Sequence, residues 1–309
     1  MRLCRFLQDG KPTVGFYDEE QIIPLSAVAS ATGTSIPDSD CLLQYLPGGS
    51  HAEAGASLAE AAQSGKGAET AIKTAEAKLQ VPLPRPQKLM LLAGNYAEHI
   101  KEGGDRAEER NNTFPYVFMK PPTTTLTHPG DPVVIPKVSP DQIDWECELA
   151  IVIGKRCRGV SEADALSYVA GYTVVNDISD RHFRPNPTRA TRDRDKFFDW
   201  LHGKWHDTFC PMGPCVVSSD AVPDPQQLKL ELRVNGNVEQ SSSTSEMVFP
   251  VAAVIEFISS YVTLEPGDVI ATGTPAGVGK AKNKFFKPGD VAEAEIEKIG
   301  ILRNPFVAE

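Results

Sequence analysis

The chain has 309 residues, of which 41% are hydrophobic and 23% are charged, as in ordinary folded globular proteins. Its formal net charge of −10 argues against non-specific binding to nucleic acid or to an anionic membrane surface. The sequence contains no signal-peptide pattern, no membrane-spanning run of ~20 apolar residues, and no C-x-x-C spacing among its six cysteines. We therefore expect a cytoplasmic protein with reduced thiols and without structural zinc.

The N-terminal quarter shows two kinds of pattern. Residues 2–25 alternate short apolar runs with turns, which predicts a small antiparallel sheet. Residues 52–79 are rich in Ala, Glu, Lys and Gln, which predicts helix. The alternate prolines of residues 81–86 cannot continue a helix. The sequence thus predicts a small domain over residues 1–85 and a larger catalytic domain over residues 86–309.

Strand patterns predominate beyond this boundary. Residues 88–94 predict a buried strand, and the polar stretch 95–113 predicts a short helix within a mobile loop. Helices are predicted at 161–169, capped by Ser161, and at 249–262. Further strands are predicted at residues 116–120, 132–136, 228–234 before an Asn-Gly hairpin turn, 268–272 and 290–296. The fold class predicted is therefore α+β and β-rich.

The segment 144–154 predicts a strand that carries two carboxylates just before its most apolar part. Glu146 and Glu148 are two residues apart, so on a strand they share a face. A second apolar segment, 170–177, ends in Asp177. Three carboxylates with no Cys or His beside them favour a hard divalent ion such as Mg²⁺, Mn²⁺ or Ca²⁺. The spacing alone leaves open the alternative that both glutamates lie on the solvated face of an edge strand.

Two further positions are candidates for catalysis. His99 and Glu102 are three residues apart, so on a helical turn the carboxylate would orient the imidazole as a general base for water. The alternative is an exposed histidine in a charged loop. Lys204 lies between glycine and tryptophan and could stabilise an oxyanion in a cleft, although most lysines are simply solvated.

Two segments could bind an anionic substrate. The Gly-rich turn 272–279 follows a predicted strand, and its backbone N–H groups could hold a carboxylate. It is not a phosphate-binding Walker loop, and a purely structural turn is an alternative. Five arginines lie between residues 181 and 194; we expect at most two of them to reach the site, because such runs usually form solvated loops.

Taken together and in this order, these segments resemble the fumarylacetoacetate hydrolase family. The resemblance covers roughly residues 88 to 300. The matching pieces are Gly94-Asn95-Tyr96 with His99 and Glu102, residues 118–122, residues 144–150, residues 171–181, Gly203-Lys204 with residues 207–214, and residues 264–279. Each piece alone is weak, but their joint order is specific.

The resemblance implies a mixed β-roll catalytic domain, a homodimer, and Mg²⁺ or Mn²⁺ (with Ca²⁺ as a substitute) bound by Glu146, Glu148 and Asp177. It implies that His99 and Glu102 are the water-activating pair, carried on a lid that orders over the substrate, and that Lys204 lies near the substrate carbonyl. The residues that it places around a substrate are Lys120, Arg181, Arg184, Gly273 and Thr274.

Two positions depart from the family pattern. Arg184 stands where many members have glutamine, and Trp205 stands where many have serine. Both were expected near the pocket, so the substrates of better-known members cannot be carried over to this chain.

The function expected is hydrolysis of a carbon–carbon bond in an acylpyruvate or related 1,3-dicarbonyl acid through a metal-bound enolate. The partner would then be a small anionic 2-oxo acid. One alternative is a decarboxylase or keto–enol isomerase of a 2-oxo diacid, of the oxaloacetate or 2-hydroxyhepta-2,4-diene-1,7-dioate type. A second alternative is a non-catalytic protein that binds a metal or ligand, which the presence of His99, Glu102 and Lys204 disfavours.

Overall fold

The computed structural model describes residues 1–104 and 110–309, so part of the predicted 95–113 loop lies outside the described residues. The N-terminal strands are β1 (Arg2–Gln8), β2 (Lys11–Tyr17), β3 (Gln21–Pro24), β4 (Ile72–Lys73) and β5 (Leu79–Gln80), and the N-terminal helices are α1 (Leu25–Thr32) and α2 (Ala52–Gln63). The predicted antiparallel sheet is present as β1, β2 and β3. The helix predicted over 52–79 ends at Gln63, because Gly65 and Gly67 follow in left-handed conformations that a helix cannot continue.

The rest of the chain carries fourteen strands and five helices among the described residues. The strands are β6 (Leu89–Ala93), β7 (Tyr116–Met119), β8 (Leu126–Thr127), β9 (Val133–Ile135), β10 (Ile143–Asp144), β11 (Cys147–Ile153), β12 (Val169–Asn176), β13 (Ser179–Asp180), β14 (Cys210–Ser218), β15 (Lys229–Val234), β16 (Asn237–Ser243), β17 (Val269–Ala271), β18 (Val291–Ile296) and β19 (Gly300–Ala308). The helices are α3 (Ala97–Glu102), α4 (Glu162–Ala165), α5 (Asp195–His202), α6 (Val251–Tyr261) and α7 (Gly279–Lys282). The predicted β-rich α+β class is confirmed.

The strands form one large mixed sheet and two smaller sheets. The large sheet has twelve strands in the order β4-β3-β2-β1-β14-β12-β11-β17-β6-β7, with β5 beside β1 and β8 beside β14. A five-stranded sheet has the order β16-β15-β18-β19-β9, and β10 pairs with β13 alone. The predicted Asn-Gly hairpin joins β15 to β16. Most pairs are antiparallel, whereas β17 with β6, β14 with β8 and β19 with β9 are parallel.

The N-terminal strands and the later strands share a sheet and a hydrophobic core. β1 pairs with β14, and Phe6 and Ile22 belong to the same buried cluster as Trp145 and Phe286. The division into domains at residue 85 stays a prediction, since a shared sheet neither requires nor forbids it. Within the described parts of the chain, no helix is long and apolar enough to cross a membrane. The cytoplasmic location also stays a prediction.

The predicted strand 144–154 is interrupted at Trp145 and Glu146. Asp144 ends β10, which pairs with β13, whereas Cys147 begins β11, which pairs with β12. The interruption arises because the Glu146 amide donates to the side chain of Asn176 (3.0 Å) instead of to a strand backbone. The chain therefore changes sheets at the acidic segment, next to the ends of β12 and β17.

Candidate active site

Three buried carboxylates meet where β11, β12 and β17 adjoin. Glu146 precedes β11, Glu148 lies in β11, and Asp177 directly follows β12, whose register pairs Cys147 with Asn176. The Asp177 amide donates to the Glu146 carbonyl oxygen at 2.8 Å, which holds these two residues together. One oxygen from each of the three carboxylates lies within 4.8 Å of the others. The structure thus brings together the three residues predicted to hold a metal, at a buried position and not on a solvated face.

Basic side chains contact two of these carboxylates. Lys204 Nζ donates to Glu146 Oε2 at 2.9 Å and to Asp177 Oδ2 at 2.6 Å. Arg181 Nη2 donates to Glu146 Oε1 at 2.6 Å. Burial by itself would raise the pKa of Glu146, but Lys204 and Arg181 outweigh it and lower that pKa. The same carboxylates raise the pKa of Lys204, although burial opposes this, so the lysine is a cation here.

Glu148 differs from its two neighbours. Its Oε2 accepts the Gly273 N–H at 2.8 Å, but its Oε1 is buried and has no hydrogen-bond partner in residues 1–104 and 110–309. Burial, followed by the charges of Asp177 and Glu146, raises the pKa of Glu148 well above its ordinary value. A buried oxygen that lacks a donor beside two other carboxylates suits a hard cation, so these residues fit Mg²⁺ or Mn²⁺.

Lys120 is buried against Asp177. Its amine is fully buried and donates to Asp177, to the Ile178 carbonyl oxygen at 2.9 Å, and to the Phe209 carbonyl oxygen at 2.5 Å. All three ammonium hydrogens are therefore engaged. This geometry supports a positioning role beneath Asp177, and the predicted contact of Lys120 with substrate stays a prediction.

The predicted histidine–carboxylate pair lies on α3. His99 Nδ1 is 3.3 Å from Glu102 Oε2, and both side chains are about four-fifths buried. The Glu102 carboxylate also accepts the Gly277 N–H, at 2.9 Å to Oε1 and 3.2 Å to Oε2. Glu102 therefore joins α3 to the Gly-rich turn while it orients the imidazole.

The amides of the Gly-rich turn hold carboxylates, but these belong to the protein itself. The N–H groups of Gly273, Gly277 and Gly279 donate to Glu148, Glu102 and Asp144, with the last contact at 2.6 Å. This pattern follows from the pairing of β11 with β17, which carries the turn over the acidic segment. A direct contact between the Gly273 amide and substrate stays a prediction.

Thr274 is likewise engaged within the protein. Its hydroxyl donates to the Cys147 carbonyl oxygen at 3.0 Å and accepts from the Gln240 side chain at 2.8 Å. It is buried, so its predicted contact with a substrate carboxylate also stays a prediction.

A cavity of about 1430 Å³ is linked to the triad through Arg181, which lines it and donates to Glu146. The three triad carboxylates and Lys204 do not belong to its lining. Its lining includes His99, Glu102, Arg181 and Arg184, together with aromatic side chains such as that of Phe249. It has both polar and apolar walls, as small-molecule sites usually do. The cavity therefore brings the predicted base and two of the predicted substrate-binding residues to one space.

Three of the five arginines between residues 181 and 194 line the cavity, whereas Trp205 does not. Arg181, Arg184 and Arg189 line the cavity, which is one arginine more than the two expected, and Arg189 is paired with Asp199. Trp205, expected near the pocket, does not belong to the cavity lining and donates its indole N–H to the Met119 carbonyl oxygen at 2.8 Å. Of the two departures from the family pattern, only Arg184 therefore faces the cavity.

Asp144 is a residue of the site that the sequence reasoning did not single out. It is fully buried and accepts hydrogen bonds from both Arg181 and the Gly-rich turn. Its position two residues before Glu146 was the only signal in the sequence, because its partners are 37 and 135 residues away.

The family profile described as "Fumarylacetoacetate (FAA) hydrolase C-terminal" matches residues 88–307. A 2,4-didehydro-3-deoxy-L-rhamnonate hydrolase from Sphingomonas sp. (strain SKA58) is 38% identical over 311 residues, covering 98% of this chain and 95% of the relative. The human mitochondrial oxaloacetate tautomerase FAHD2B is 42% identical over 234 residues, covering 75% of this chain and 70% of the relative.

A solved structure extends this similarity to the whole fold. The maleylpyruvate hydrolase from Sphingobium sp. SYK-6, in complex with manganese(II) ion and pyruvate, is 31% identical with a TM-score of 0.74, covering 100% of this chain and 99% of that one. The sequence match spans more than two thirds of the chain, and the structural match spans all of it. The chain therefore belongs to the fumarylacetoacetate hydrolase family and is an enzyme.

Proposed function

We propose that the enzyme hydrolyses the carbon–carbon bond between the methylene and the distal carbonyl of a 2,4-dioxo acid, an acylpyruvate. The observation that carries the proposal is the placement of His99 and Glu102 in the cavity beside the buried acidic triad. His99 lines the same cavity as Arg181, whose Nη2 donates to Glu146 at 2.6 Å. A general base beside a site for a hard cation suits the addition of water to a 1,3-dicarbonyl acid.

The overall reaction adds one water molecule and yields pyruvate and a second carboxylic acid. The hydroxyl goes to the distal carbonyl carbon, the bond from that carbon to the methylene breaks, and the methylene carbon gains a proton. A divalent cation held by Glu146, Glu148 and Asp177 would supply Lewis-acid stabilisation of the negative charge that develops in this reaction.

The remaining roles in the reaction belong to side chains of the protein. His99 takes the proton from water at Nε2, because its Nδ1 faces Glu102. Arg181 faces the cavity and binds the substrate carboxylate by charge-assisted hydrogen bonds. Lys204, a buried cation next to Glu146 and Asp177, adds positive charge on the side where the oxyanion forms.

Two relatives support this choice of substrate class. The name of the Sphingomonas relative describes an acid with two dehydrogenated carbons, C2 and C4, on either side of a deoxy carbon. That pattern is a 2,4-dioxo acid. The Sphingobium enzyme was solved with manganese(II) and pyruvate, and pyruvate is the product that our reaction predicts.

A second candidate is keto–enol isomerisation of a 2-oxo diacid, favoured by the 42% identity to a human oxaloacetate tautomerase. It would use the same cation site and the same substrate carboxylate contacts, but it consumes no water. The products distinguish the two: hydrolysis gives two smaller acids, and isomerisation gives one compound of unchanged mass.

The test is a panel of 2-oxo acids incubated with the purified protein and Mg²⁺ or Mn²⁺, analysed by mass spectrometry. We expect His99→Ala to lower cleavage of an acylpyruvate by roughly 10²-fold or more, as for loss of a general base. His51→Ala, in the N-terminal region and outside the cavity, is the matched control. Equal turnover in the native protein and the His99 variant would contradict the proposed role.

We also propose that Mg²⁺ or Mn²⁺ is the resident ion and that the protein is a homodimer. The ion follows from the all-oxygen triad and from the unpartnered Glu148 oxygen. The dimer is implied by the family resemblance and is checked by light scattering in solution, where a monomeric mass would contradict it.

A further inference from the structure

Asp144 is a buried carboxylate outside the acidic triad that engages four donors. Its Oδ1 accepts the N–H groups of Trp145 at 2.7 Å and Gly279 at 2.6 Å. Its Oδ2 accepts the Lys280 N–H at 3.0 Å and the Arg181 Nε–H at 2.7 Å. A carboxylate with this many donors is fixed in one orientation.

Strand pairing and a glycine bring these partners together. The pairing of β10 with β13 places Asp144 opposite Ser179, two residues before Arg181. Gly279 is required on the other side, because a Cβ there would lie 2.7 Å from Asp144 Oδ1 and 2.0 Å from the Lys284 carbonyl oxygen. The acidic segment, the arginine and the Gly-rich turn are thus joined at one carboxylate.

The guanidinium nitrogens of Arg181 have different neighbours. Nε contacts Asp144 and Nη2 contacts Glu146, while Nη1 has no hydrogen-bond partner among the residues that the structure describes. The same side chain lines the cavity. Glu146 belongs to the triad and Asp144 does not, so the Asp144 contact is the one that does not compete with a cation.

We propose that Asp144 is a positioning residue: it holds the Arg181 guanidinium by Nε so that the opposite edge is presented to the carboxylate of the substrate. This inference rests on the proposed function, because it needs an anionic substrate in the cavity. The energetic reason is preorganisation, since an arginine already held in place loses little conformational freedom when it binds a carboxylate.

The experiment measures pyruvate binding to the manganese-loaded protein by calorimetry, in a double-mutant cycle of Asp144→Asn and Arg181→Met. Asparagine keeps the shape of the side chain but has one acceptor oxygen instead of two and no charge. We expect Asp144→Asn to weaken pyruvate binding about tenfold when Arg181 is present and less than about twofold in the Arg181→Met protein. In steady-state kinetics of the single variant, KM should rise while kcat changes little.

A role limited to folding gives a different result. If Asp144 only fixes the Gly-rich turn, its substitution lowers Tm and weakens pyruvate binding by the same factor in both backgrounds, which overturns the proposal. A native pyruvate affinity in Asp144→Asn overturns it as well. Absence of pyruvate binding by the native protein overturns both this inference and the proposed function, so the two failures are distinguishable.

A second variant keeps the inference testable if Asp144→Asn does not fold. Arg181→Lys retains the charge, but its single ammonium cannot be held by Asp144 along one edge and bind a carboxylate along another. We expect a loss in pyruvate affinity of about tenfold with Tm nearly unchanged. Native affinity in Arg181→Lys would contradict the role of Asp144.

Discussion

The acidic triad shows how the charges of single residues are balanced. Two of its carboxyl groups, those of Glu146 and Asp177, and the neighbouring Asp144 form ion pairs with three basic side chains, those of Arg181, Lys204 and Lys120.

Glu148 is a further buried carboxylate without a cationic partner among the described residues. Burial, followed by the charges of Asp177 and Glu146, raises its pKa, and its Oε1 has no donor in the described parts of the chain. A buried carboxyl group without a cationic partner is the reason to assign a cation to the site.

Lys204 should oppose metal binding while it assists turnover. Its ammonium lies between Glu146 and Asp177, so Lys204→Met removes a competing positive charge from the triad. We expect the Mn²⁺ dissociation constant, measured by calorimetry without substrate, to fall severalfold while kcat falls. Lys66→Met, at an exposed lysine in the N-terminal region outside the cavity lining, is the control with the same change in net charge. Unchanged or weaker Mn²⁺ binding in Lys204→Met would contradict this assignment.

The raised pKa of Glu148 predicts that stabilisation of the folded protein by a metal ion depends on pH. Its folded pKa is raised, so without metal the protonated form contributes stability below its ordinary pKa, and this stability is lost as pH rises through the raised value. A cation binds the ionised form, so metal binding releases a proton. We expect the increase in Tm caused by Mn²⁺ to grow as the pH rises above the ordinary pKa of a glutamate carboxyl and through the raised value.

Glu148→Gln provides the control for this pH dependence, because it keeps the shape of the side chain but cannot titrate. Its response to Mn²⁺ should be smaller and nearly independent of pH. A native protein whose Mn²⁺ response is flat or decreases with pH would refute the assigned state of Glu148.

Among the elements, the Gly-rich turn connects α3 to the acidic triad. The Gly273 amide holds Glu148 and the Gly277 amide holds Glu102, so one turn contacts both a triad carboxylate and the partner of the proposed base. Docking of α3 on this turn is what places His99 over the cavity.

The Glu102 contact should stabilise the docked position of α3. Hydrogen bonds to charged groups contribute about 1.5–3 kcal/mol when buried, and we take about 1 kcal/mol here because the pair is partly exposed. Glu102→Gln should therefore speed amide hydrogen exchange of α3 roughly fivefold. Glu98→Gln is the control, because Glu98 lies on the same helix and forms its ion pair with Lys101. Equal exchange in the two variants would contradict the docking role.

The sequence predicted the elements of the site better than their contacts. The i, i+2 spacing of Glu146 and Glu148 and the apolar run before Asp177 made the triad a candidate, because both patterns are local, and the family resemblance favoured it over a solvated edge strand. The partners of the turn were not predictable in this way. The contact from Gly273 to Glu148 spans 125 residues and that from Gly277 to Glu102 spans 175, so strand register across the sheet decides both.

Lys120 and Asp144 illustrate the same limit. Both lie in segments that the family resemblance covers, but only the packing of β7 and β10 reveals that one supports Asp177 and the other supports Arg181. Burial of a charged side chain is a tertiary property that a local pattern does not encode.

At the scale of the whole molecule, the N-terminal region completes the large sheet. β1 pairs with β14 over Arg2 and Leu3, and Phe6 and Ile22 fill the shared core. A chain that starts at residue 86 would expose the edge of β14 and the apolar surface beneath it. We expect this truncated protein to aggregate, or to have a Tm well below that of the full chain when unfolding is followed by circular dichroism. A truncated protein with the native Tm would show that residues 86–309 fold independently.

We propose above that this enzyme hydrolyses an acylpyruvate with the help of a bound divalent cation. The most direct measurement is the time course of acetylpyruvate consumption by the metal-loaded protein, with products quantified by mass spectrometry, before and after chelation. We expect equimolar pyruvate and acetate, with formation of both abolished by chelation and restored by Mg²⁺ or Mn²⁺. Release of CO₂, an isomer of unchanged mass, or cleavage that survives complete chelation would contradict it.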